Sequence, residues 1–243
     1  MSHQQRLEYL NAMGLQVWLQ RESILPDDGS NKQSISTIAT EEISADNEPE
    51  KPIEQVCTSN NKQTWNDLRE QVNTCTTCAL HKTRTQTVFG TGNQQADWMI
   101  IGEAPGAQED QQGEPFVGRA GMLLNEMLFS LGLQRESVFI ANILKCRPPN
   151  NRDPLPNEIE ACGNYLKQQV EHISPQIILA LGRIAAQNLL QTTESIGRLR
   201  GRIHDYQSIP VIVIYHPAYL LRSPLEKRKV LQDLLLAQQT LAN

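Results

Sequence analysis

Four short runs of almost purely apolar residues constrain the fold of this chain more than any other feature of its sequence. They are separated by stretches with helical periodicity, and they span residues 98–101, 138–141, 176–181 and 210–214. Strands that are apolar on both faces are typical of a parallel sheet that helices cover on both sides. The sequence therefore predicts an α/β fold with three layers, α/β/α, around a central, mostly parallel four-stranded sheet.

The chain divides by composition into three parts. Residues 26–63 carry eight acidic residues, three lysines and no aromatic residue, which predicts a disordered acidic linker. Residues 1–25 form a short amphipathic segment, interpreted either as a helix that a partner protein binds or as a frayed helix on its own domain. Residues 64–243 are formally neutral, because the linker accounts for the whole net charge of −5, and they are predicted to be the folded domain.

The apolar runs of the sequence are all shorter than the 18 or so residues that a membrane-spanning helix needs. The first ten residues also lack the apolar centre of a signal peptide. We therefore expect a cytoplasmic protein without membrane contact. Five cysteines in such a protein indicate metal binding or free thiols before disulfides.

Four of the cysteines form a pattern that suggests a metal centre. Cys75 and Cys78 are a C-x2-C pair, whereas Cys146 and Cys162 have fifteen residues between them. Four thiolates suit either zinc or an iron–sulfur cluster, and a structural zinc site more often has two close pairs. The irregular spacing favours a [4Fe–4S] cluster with a structural role, and zinc and a chance placement of the cysteines are the alternatives. Cys57 lies in the linker and is predicted to be a solitary thiol.

The loop after the first apolar run contains polar residues where a ligand of an α/β sheet would lie, outside the carboxyl end of a strand. The run ends at Gly102 and is followed by Glu103, Glu109 and the aromatic Phe116. The loop lacks the Gly-Lys-Ser/Thr ending of a phosphate-binding loop. Its acids and its single aromatic residue suit a neutral, planar ligand that forms hydrogen bonds. A surface turn rich in solvated acids is the alternative interpretation.

Two other strand ends carry residues suited to such a ligand. Asn142 follows the second run, and its amide can present a donor and an acceptor to the edge of a base. His216 follows the fourth run, where it could donate a hydrogen bond to a developing anion. Behind it, Tyr219 and Leu220 are predicted to be exposed and to wedge into a base stack, and Arg222 to hold a phosphate. A loop-capping Asn142 and a structural His216 are the alternatives, so the prediction depends on their convergence at one edge.

Several motifs together resemble the family 4 uracil-DNA glycosylases, the iron–sulfur members of the uracil glycosylase superfamily. They are GEAPG at 102–106, PFVGRAG at 115–121, KCRPPNNR at 145–152 and HPAYLLR at 216–222, accompanied by the four cysteines. The resemblance covers residues 64–243. It implies the α/β/α glycosylase fold, a [4Fe–4S] cluster on the four cysteines, and a monomeric enzyme that acts on single- or double-stranded DNA containing uracil.

The resemblance also implies roles for the pocket residues in base excision repair. Such an enzyme flips uracil out of the base stack and hydrolyses its N-glycosidic bond, which leaves an abasic site. His216 is expected to stabilise the charge that develops on uracil O2. Asn142 is expected to read N3–H and O4, Phe116 to stack on the ring, and Glu109 to exclude the C5 methyl group of thymine.

Activation of the water is assigned by comparison within the superfamily. Other branches have an aspartate where this chain has Ala104, which leaves Glu103 and Asn151 to position the water, with Glu103 preferred. Gly102 and Ala104 are then expected to bind the substrate as part of the pocket wall. Leu220 is expected to fill the gap that the flipped base leaves in the DNA.

Three alternatives remain at the level of the sequence. A related cluster-bearing branch bonds covalently to DNA through a histidine in a basic insertion. The segment RGRIH at 200–204 resembles that insertion but lies much later in the chain, so His204 is predicted to be structural and the enzyme to turn over. A non-enzymatic reader of DNA or uracil is the second alternative, and a cysteine-cluster redox protein is the third. The segment 1–25 falls outside the resemblance, and a replication or repair protein is its hypothetical partner.

Overall fold

The sheet has six strands within residues 64–242, which are the residues described in this computed structural model. The strands, in chain order, are β1 (Thr91–Gly92), β2 (Trp98–Gly102), β3 (Phe139–Asn142), β4 (Ile177–Leu181), β5 (Ile203–Tyr206) and β6 (Ile209–Ile214). Their order across the sheet is β1-β3-β2-β4-β6-β5. The four central strands are all parallel, as predicted, and β1 and β5 add an antiparallel strand at each edge.

The two edge strands were not predicted, and their sequences explain why. β1 has only two residues, which is too short for any periodic pattern. β5 (IHDY) alternates between exposed and half-buried residues, so it lacks the continuous apolar run that marks the buried central strands. The predicted four-stranded sheet is therefore the centre of a six-stranded one.

Eight α-helices lie within residues 64–242, and they cover both faces of the sheet. In chain order they are α1 (Trp65–Asn73), α2 (Ala107–Gln112), α3 (Arg119–Ser130), α4 (Pro156–Ile173), α5 (Arg183–Leu190), α6 (Ile196–Leu199), α7 (Pro217–Arg222) and α8 (Lys227–Ala242). The short helix α2 occupies part of the segment that was predicted to be an irregular loop. Thr64 caps α1 through a capping box with Asp67.

Alternation of side chains along the central strands creates the three layers. Met99 and Ile101 of β2 belong to an apolar cluster that packs against α1, α4 and α5. Trp98 and Ile100 point to the opposite face and belong to a second cluster with residues of α3, α7 and α8. Because successive strand residues face opposite sides, one apolar run supplies both cores.

Within the part of the chain that the structure describes, no helix is both long and apolar enough to cross a membrane. The amphipathic segment 1–25 and the linker 26–63 with Cys57 lie outside the described residues. Their predicted roles remain predictions.

Candidate active site

A pocket of about 490 Å³ lies at the carboxyl ends of the central strands. Nine of the eleven site residues predicted from the sequence line it, and the two exceptions are Gly102 and Leu220. Tyr219 and Arg222 are among the nine, although they were predicted to contact DNA. The nine residues are Glu103, Ala104, Glu109, Phe116, Asn142, Asn151, His216, Tyr219 and Arg222. Parallel pairing explains this convergence, because β2, β3 and β6 all direct their carboxyl ends to one edge of the sheet.

Gly102 lies directly beside two of the lining residues. It pairs with Asn142 across the β2–β3 ladder. A Cβ atom at Gly102 would lie 2.4 Å from Asn142 Oδ1 and 2.6 Å from the ring of Phe116. Any side chain here would displace both residues. The lack of a side chain at Gly102 therefore leaves room for Asn142 and Phe116 in the pocket wall.

Asn142 carries an unsatisfied acceptor. The residue is 1% exposed, and its Oδ1 is buried without a hydrogen-bond partner in the structure. Leaving a buried amide oxygen unpaired costs about 1–3 kcal/mol. The position therefore suits a ligand that brings an N–H donor to this oxygen.

The backbone around Asn142 is held on both sides. Pairing with β2 continues past the strand end, since Ile143 N donates to Gly102 O (2.9 Å) and Leu144 N to Glu103 O (3.0 Å). The carbonyl of Asn142 accepts from Lys145 Nζ (2.9 Å). Asn142 is thus part of a rigid extension of the sheet.

Lys145 is itself buried, 1% exposed, although it is a lysine. Its Nζ also donates to Gln169 Oε1 (2.6 Å), and Gln169 Nε2 donates to Phe89 O (2.8 Å). Burial lowers the pKa of Lys145 to about 8. Sequence reasoning assigned Lys145 only to local positive charge and missed Gln169, because nothing in the sequence signals a hydrogen bond between residues 24 positions apart.

Phe116 adopts a backbone conformation that is unusual for an aromatic residue. Its φ is +54°, in the left-handed region, and its side chain is 7% exposed. Its ring centroid lies 5.6 Å from that of His216, with an interplanar angle of 31°. The two rings form adjacent parts of the pocket wall.

Glu109 holds the backbone that follows Phe116. Its Oε1 accepts hydrogen bonds from the amides of Val117 (3.0 Å) and Gly118 (3.1 Å). Gly118 is the N-cap of α3 and has no side chain to cap the helix, so Glu109 on α2 does this from a distance. These bonds fix the carboxylate of Glu109 in the pocket wall.

His216 presents a neutral imidazole to the pocket. It is the N-cap of α7, and its Nδ1 accepts from the amide of Ala218 (3.1 Å). Its pKa is lowered to about 4. Burial is the main cause, the charge of Arg222 acts in the same direction, and Glu109 partly opposes the shift. Near pH 7 the ring is neutral, and because Nδ1 accepts, the proton lies on Nε2, which can donate to a ligand.

Glu103 is a carboxyl group with a raised pKa. The pKa of Glu103 is raised to about 7. Burial is the main cause, the negative charge of Asp153 acts in the same direction, and Arg183 acts in the opposite one. Asp153 and Arg183 form an ion pair (2.7 Å). At neutral pH Glu103 therefore lies near the midpoint of its titration, which is suitable for a general base.

Asn151, the second residue predicted to position water, is already engaged. Its Oδ1 accepts from Arg147 Nε (2.7 Å), and its φ is +53°. The side-chain oxygen that would accept from a water thus already accepts one hydrogen bond, whereas the carboxyl of Glu103 accepts none from residues 64–242. The geometry favours Glu103 over Asn151 for this role.

The prediction that Leu220 is exposed and wedges into DNA is wrong. Leu220 is 1% exposed and belongs to the apolar cluster beneath α7. One helical turn holds Tyr219, Leu220 and Leu221, so only some of them can face solvent, and Tyr219 (36%) and Leu221 (38%) are the exposed ones. Tyr219 lines the pocket, and its ring lies 5.1 Å from that of Tyr215.

The basic run before β5 is divided between the interior and the surface. Arg200 bonds to Asp233 through Nε and Nη2 (both 3.0 Å) and lies over the ring of Tyr215. Arg198 and Arg202 are exposed. His204 Nε2 lies 2.6 Å from Leu199 O, a contact within its own segment that agrees with the structural role predicted for it.

The four predicted ligands of a metal centre surround one cavity. Cys75, Cys78, Cys146 and Cys162 all line it. Arg84 Nη1 donates to Cys146 Sγ (3.0 Å), and the amide of Lys145 to Cys162 Sγ (3.3 Å). Donors of this kind stabilise thiolates, so the cavity has the chemistry of a thiolate-ligated group.

Sequence reasoning missed one cation near the pocket. Arg135 precedes β3, and its guanidinium bonds to backbone carbonyls beside Phe116. Neither spacing nor a motif marked it, because it lies in a three-residue 3-10 turn, Arg135–Ser137, that is far from the pocket along the chain.

Comparison with known proteins gives a consistent result. The family model of the uracil DNA glycosylase superfamily matches residues 89–235. A type-4 uracil-DNA glycosylase of Archaeoglobus fulgidus is 48% identical over 170 residues, which cover 67% of this chain and 85% of that protein. Those of Thermotoga maritima (47% over 171 residues) and Pyrobaculum aerophilum (43% over 175 residues) each match 69% of this chain and 89% of their own length.

Proposed function

The chain belongs to the type-4 uracil-DNA glycosylases, within the uracil DNA glycosylase superfamily, and we propose that the pocket at its sheet edge is where uracil is bound and excised. The protein is an enzyme that removes uracil from DNA, which leaves the redox-protein and non-enzymatic alternatives without support. One observation carries the assignment of the site. The buried, unpaired Oδ1 of Asn142 and the neutral His216 face the same pocket.

Asn142 reads the base. Its Oδ1 accepts from uracil N3–H, and its Nδ2 donates to uracil O4. Cytosine presents an acceptor at N3 and an amino donor at C4, so it leaves the buried Oδ1 unpaired and places a second donor against Nδ2. A site built to bond a particular donor rejects an analogue that lacks it by a large factor.

His216 stabilises the leaving group. Cleavage of the N-glycosidic bond leaves the bonding electrons on uracil as an anion and positive charge on the sugar. The Nε2–H of neutral His216 donates to O2 as that charge develops. Loss of one such preorganised donor lowers kcat by about 10²–10³-fold.

Phe116 and Glu109 shape the pocket around the ring. Phe116 stacks on the flipped base, and a stacking contact with an aromatic residue contributes about 1–3 kcal/mol per base. Glu109 lies where the C5 methyl of thymine would go, and its two backbone hydrogen bonds prevent it from moving aside. The normal base of DNA is thereby excluded.

Glu103 positions and deprotonates the water. Its carboxylate accepts a proton as the water oxygen bonds to the sugar carbon that uracil leaves. The departing base carries away the electron pair of the broken bond. Ala104 beside it has no acidic group, so it cannot take this role.

Cys75, Cys78, Cys146 and Cys162 would hold a [4Fe–4S] cluster. The four thiols surround one cavity, and their irregular spacing favours a cluster over zinc. When bound, the cluster would cross-link the segment after α1, the loop after β3 and helix α4. Free thiolates need a reducing compartment, which supports a cytoplasmic location.

The test is uracil release from an oligonucleotide with one deoxyuridine, under excess substrate. We expect repeated turnover by the wild type and a loss of at least about 10²-fold in Asn142→Ala and His216→Ala. Full activity in both variants would remove the pocket from the reaction. A single burst that leaves a protein–DNA adduct would assign the chain to covalent trapping instead.

A further inference from the structure

Arg135 makes a concentrated set of contacts with the loop that carries Phe116. Its Nη1 donates to Phe116 O (3.3 Å), and its Nη2 donates to Pro115 O. Nη1 also lies 3.3 Å from Asn125 Oδ1 on α3. One planar guanidinium thus joins two consecutive carbonyls of the loop to the helix that follows it.

The backbone at this point needs such support. Phe116 has a φ of +54°, a region that L-residues with large side chains rarely adopt. Glu109 holds the amides of Val117 and Gly118 on the other side of the residue. The turn is therefore fixed by an acid on its N–H groups and by Arg135 on its carbonyl groups.

Three acidic residues interact electrostatically with the guanidinium of Arg135. Glu114, Glu136 and Glu109 each favour its charged form, against the effect of burial. Burial has the larger effect and lowers the pKa of Arg135, while the three acids act in the opposite direction. The N–H donors of the guanidinium are directed to the loop and to Asn125.

We propose that Arg135 is a positioning residue of the glycosylase, which holds the ring of Phe116 in the plane where it stacks on the flipped uracil. The inference rests on the function proposed above, and it adds a residue outside the pocket to the machinery that binds the base. Arg135 does not touch the substrate; it acts through the backbone of Phe116. Without it, the turn relaxes toward an ordinary conformation and the ring leaves the stacking plane.

A double-mutant cycle tests this action through Phe116. Arg135→Met is expected to lower kcat by about tenfold to hundredfold in the otherwise wild-type enzyme, as expected for a misplaced binding group. In a Phe116→Leu background, which has no ring to position, the same change is expected to alter kcat by no more than about twofold. Arg69→Met, which removes an exposed arginine on α1, is the control and is expected to leave kcat unchanged.

A second measurement separates positioning from folding. Inhibition by free uracil reports on the pocket without DNA, and Arg135→Met is expected to weaken it by about tenfold. Arg135→Lys keeps the charge but can reach fewer carbonyls, and it is expected to recover part of the loss. If Arg135→Met does not fold, Arg135→Lys replaces it in the double-mutant cycle with Phe116→Leu.

Each result has one meaning. Equal losses in both backgrounds, or unchanged inhibition by free uracil, would overturn the role of Arg135 while leaving the enzyme a glycosylase. Failure of the wild type to release uracil would instead refute the proposed site.

Discussion

Glu103 and His216 share one pocket, yet their pKa values are displaced in opposite directions. Burial is the main cause for both, since it disfavours the charged form of each group. Burial therefore keeps the histidine neutral and gives the carboxyl group a pKa near 7. Burial in the same pocket thus gives each residue the protonation state that its proposed role requires.

This leads to a prediction for the pH dependence of activity. Glu103 must lose its proton to act as a base, so kcat/KM should rise about tenfold per pH unit below its pKa of about 7 and level off above it. Asp153→Asn removes a negative charge that raises this pKa, so the rising limb should move to lower pH. Steady-state rates between pH 5 and 9 measure this pH dependence. If the rise of activity with pH persists in Glu103→Gln, the titrating group is not Glu103.

Leu220 and Leu221 are adjacent leucines with opposite environments. Leu220→Ala should lower the free energy of unfolding by about 2–5 kcal/mol, because it leaves a cavity in the core. Leu221→Ala should change it by no more than about 0.5 kcal/mol. Urea denaturation of the two variants makes the comparison, and equal losses would contradict the burial of Leu220.

At the scale of elements, the start of α3 packs directly against the pocket loop. A Cβ atom at Gly121 would lie 1.7 Å from the carbonyl oxygen of Phe116, a backbone atom that cannot move without the loop. We predict that Gly121→Ala lowers kcat at least about tenfold, because the helix and the loop must separate.

Gly163→Ala is the matched control for this prediction. Gly163 lies within α4 with no atom within 4 Å of a Cβ at its position, so alanine there should stabilise the helix by up to about 1 kcal/mol and leave kcat unchanged. Measuring kcat and the urea midpoint of both variants separates the two effects. A Gly121→Ala enzyme with wild-type kcat would show that the contact between α3 and the loop is not needed.

The elements that the sequence predicted best are those with a continuous pattern. All four central strands were located within one or two residues. The edge strands β1 and β5 and the helix α2 were missed. Their short or mixed sequences have no period, and they form because neighbouring elements supply the partners.

For the whole molecule, the contributions of Glu103 and His216 to the pH dependence of stability should nearly cancel in acid. Between pH 4 and 6.5 the unfolded chain binds the proton of His216 that the folded chain does not, so this group makes stability rise with pH. Between pH 4.5 and 7 the folded chain binds the proton of Glu103, so that group makes stability fall with pH. The two effects oppose each other between pH 4.5 and 6.5.

Single variants should reveal each effect. His216→Asn should make the free energy of unfolding fall with rising pH relative to the wild type, by at most about 1.4 kcal/mol per pH unit. Glu103→Gln should do the reverse. Urea denaturation at pH 5, 5.5 and 6 measures these differences, and curves parallel to that of the wild type would show that neither pKa is displaced.

The composition of the pocket was largely predictable, whereas its support was not. Nine of the eleven site residues predicted from strand ends and motifs line the pocket, and the roles assigned to them remain predictions. The sequence could not show which face of α7 is buried, so Leu220 was misplaced. Nor could it show Arg135 or Gln169, because their contacts depend on how distant segments pack.

The extension of β3 has a consequence for how this enzyme can change. Asn142 and Cys146 are separated by three residues, whose backbone is bonded to Gly102, Glu103 and, through Val88 N and Lys145 O (2.8 Å), to the segment before β1. An apolar replacement of Ile143 or Leu144 would keep the chain length and these backbone bonds, whereas Lys145 also bonds to Asn142 O and to Gln169 through its side chain. An insertion or deletion would shift the side-chain amide of Asn142 relative to the thiol of Cys146. In engineering or in evolution, this interval should tolerate new side chains far more readily than a new length.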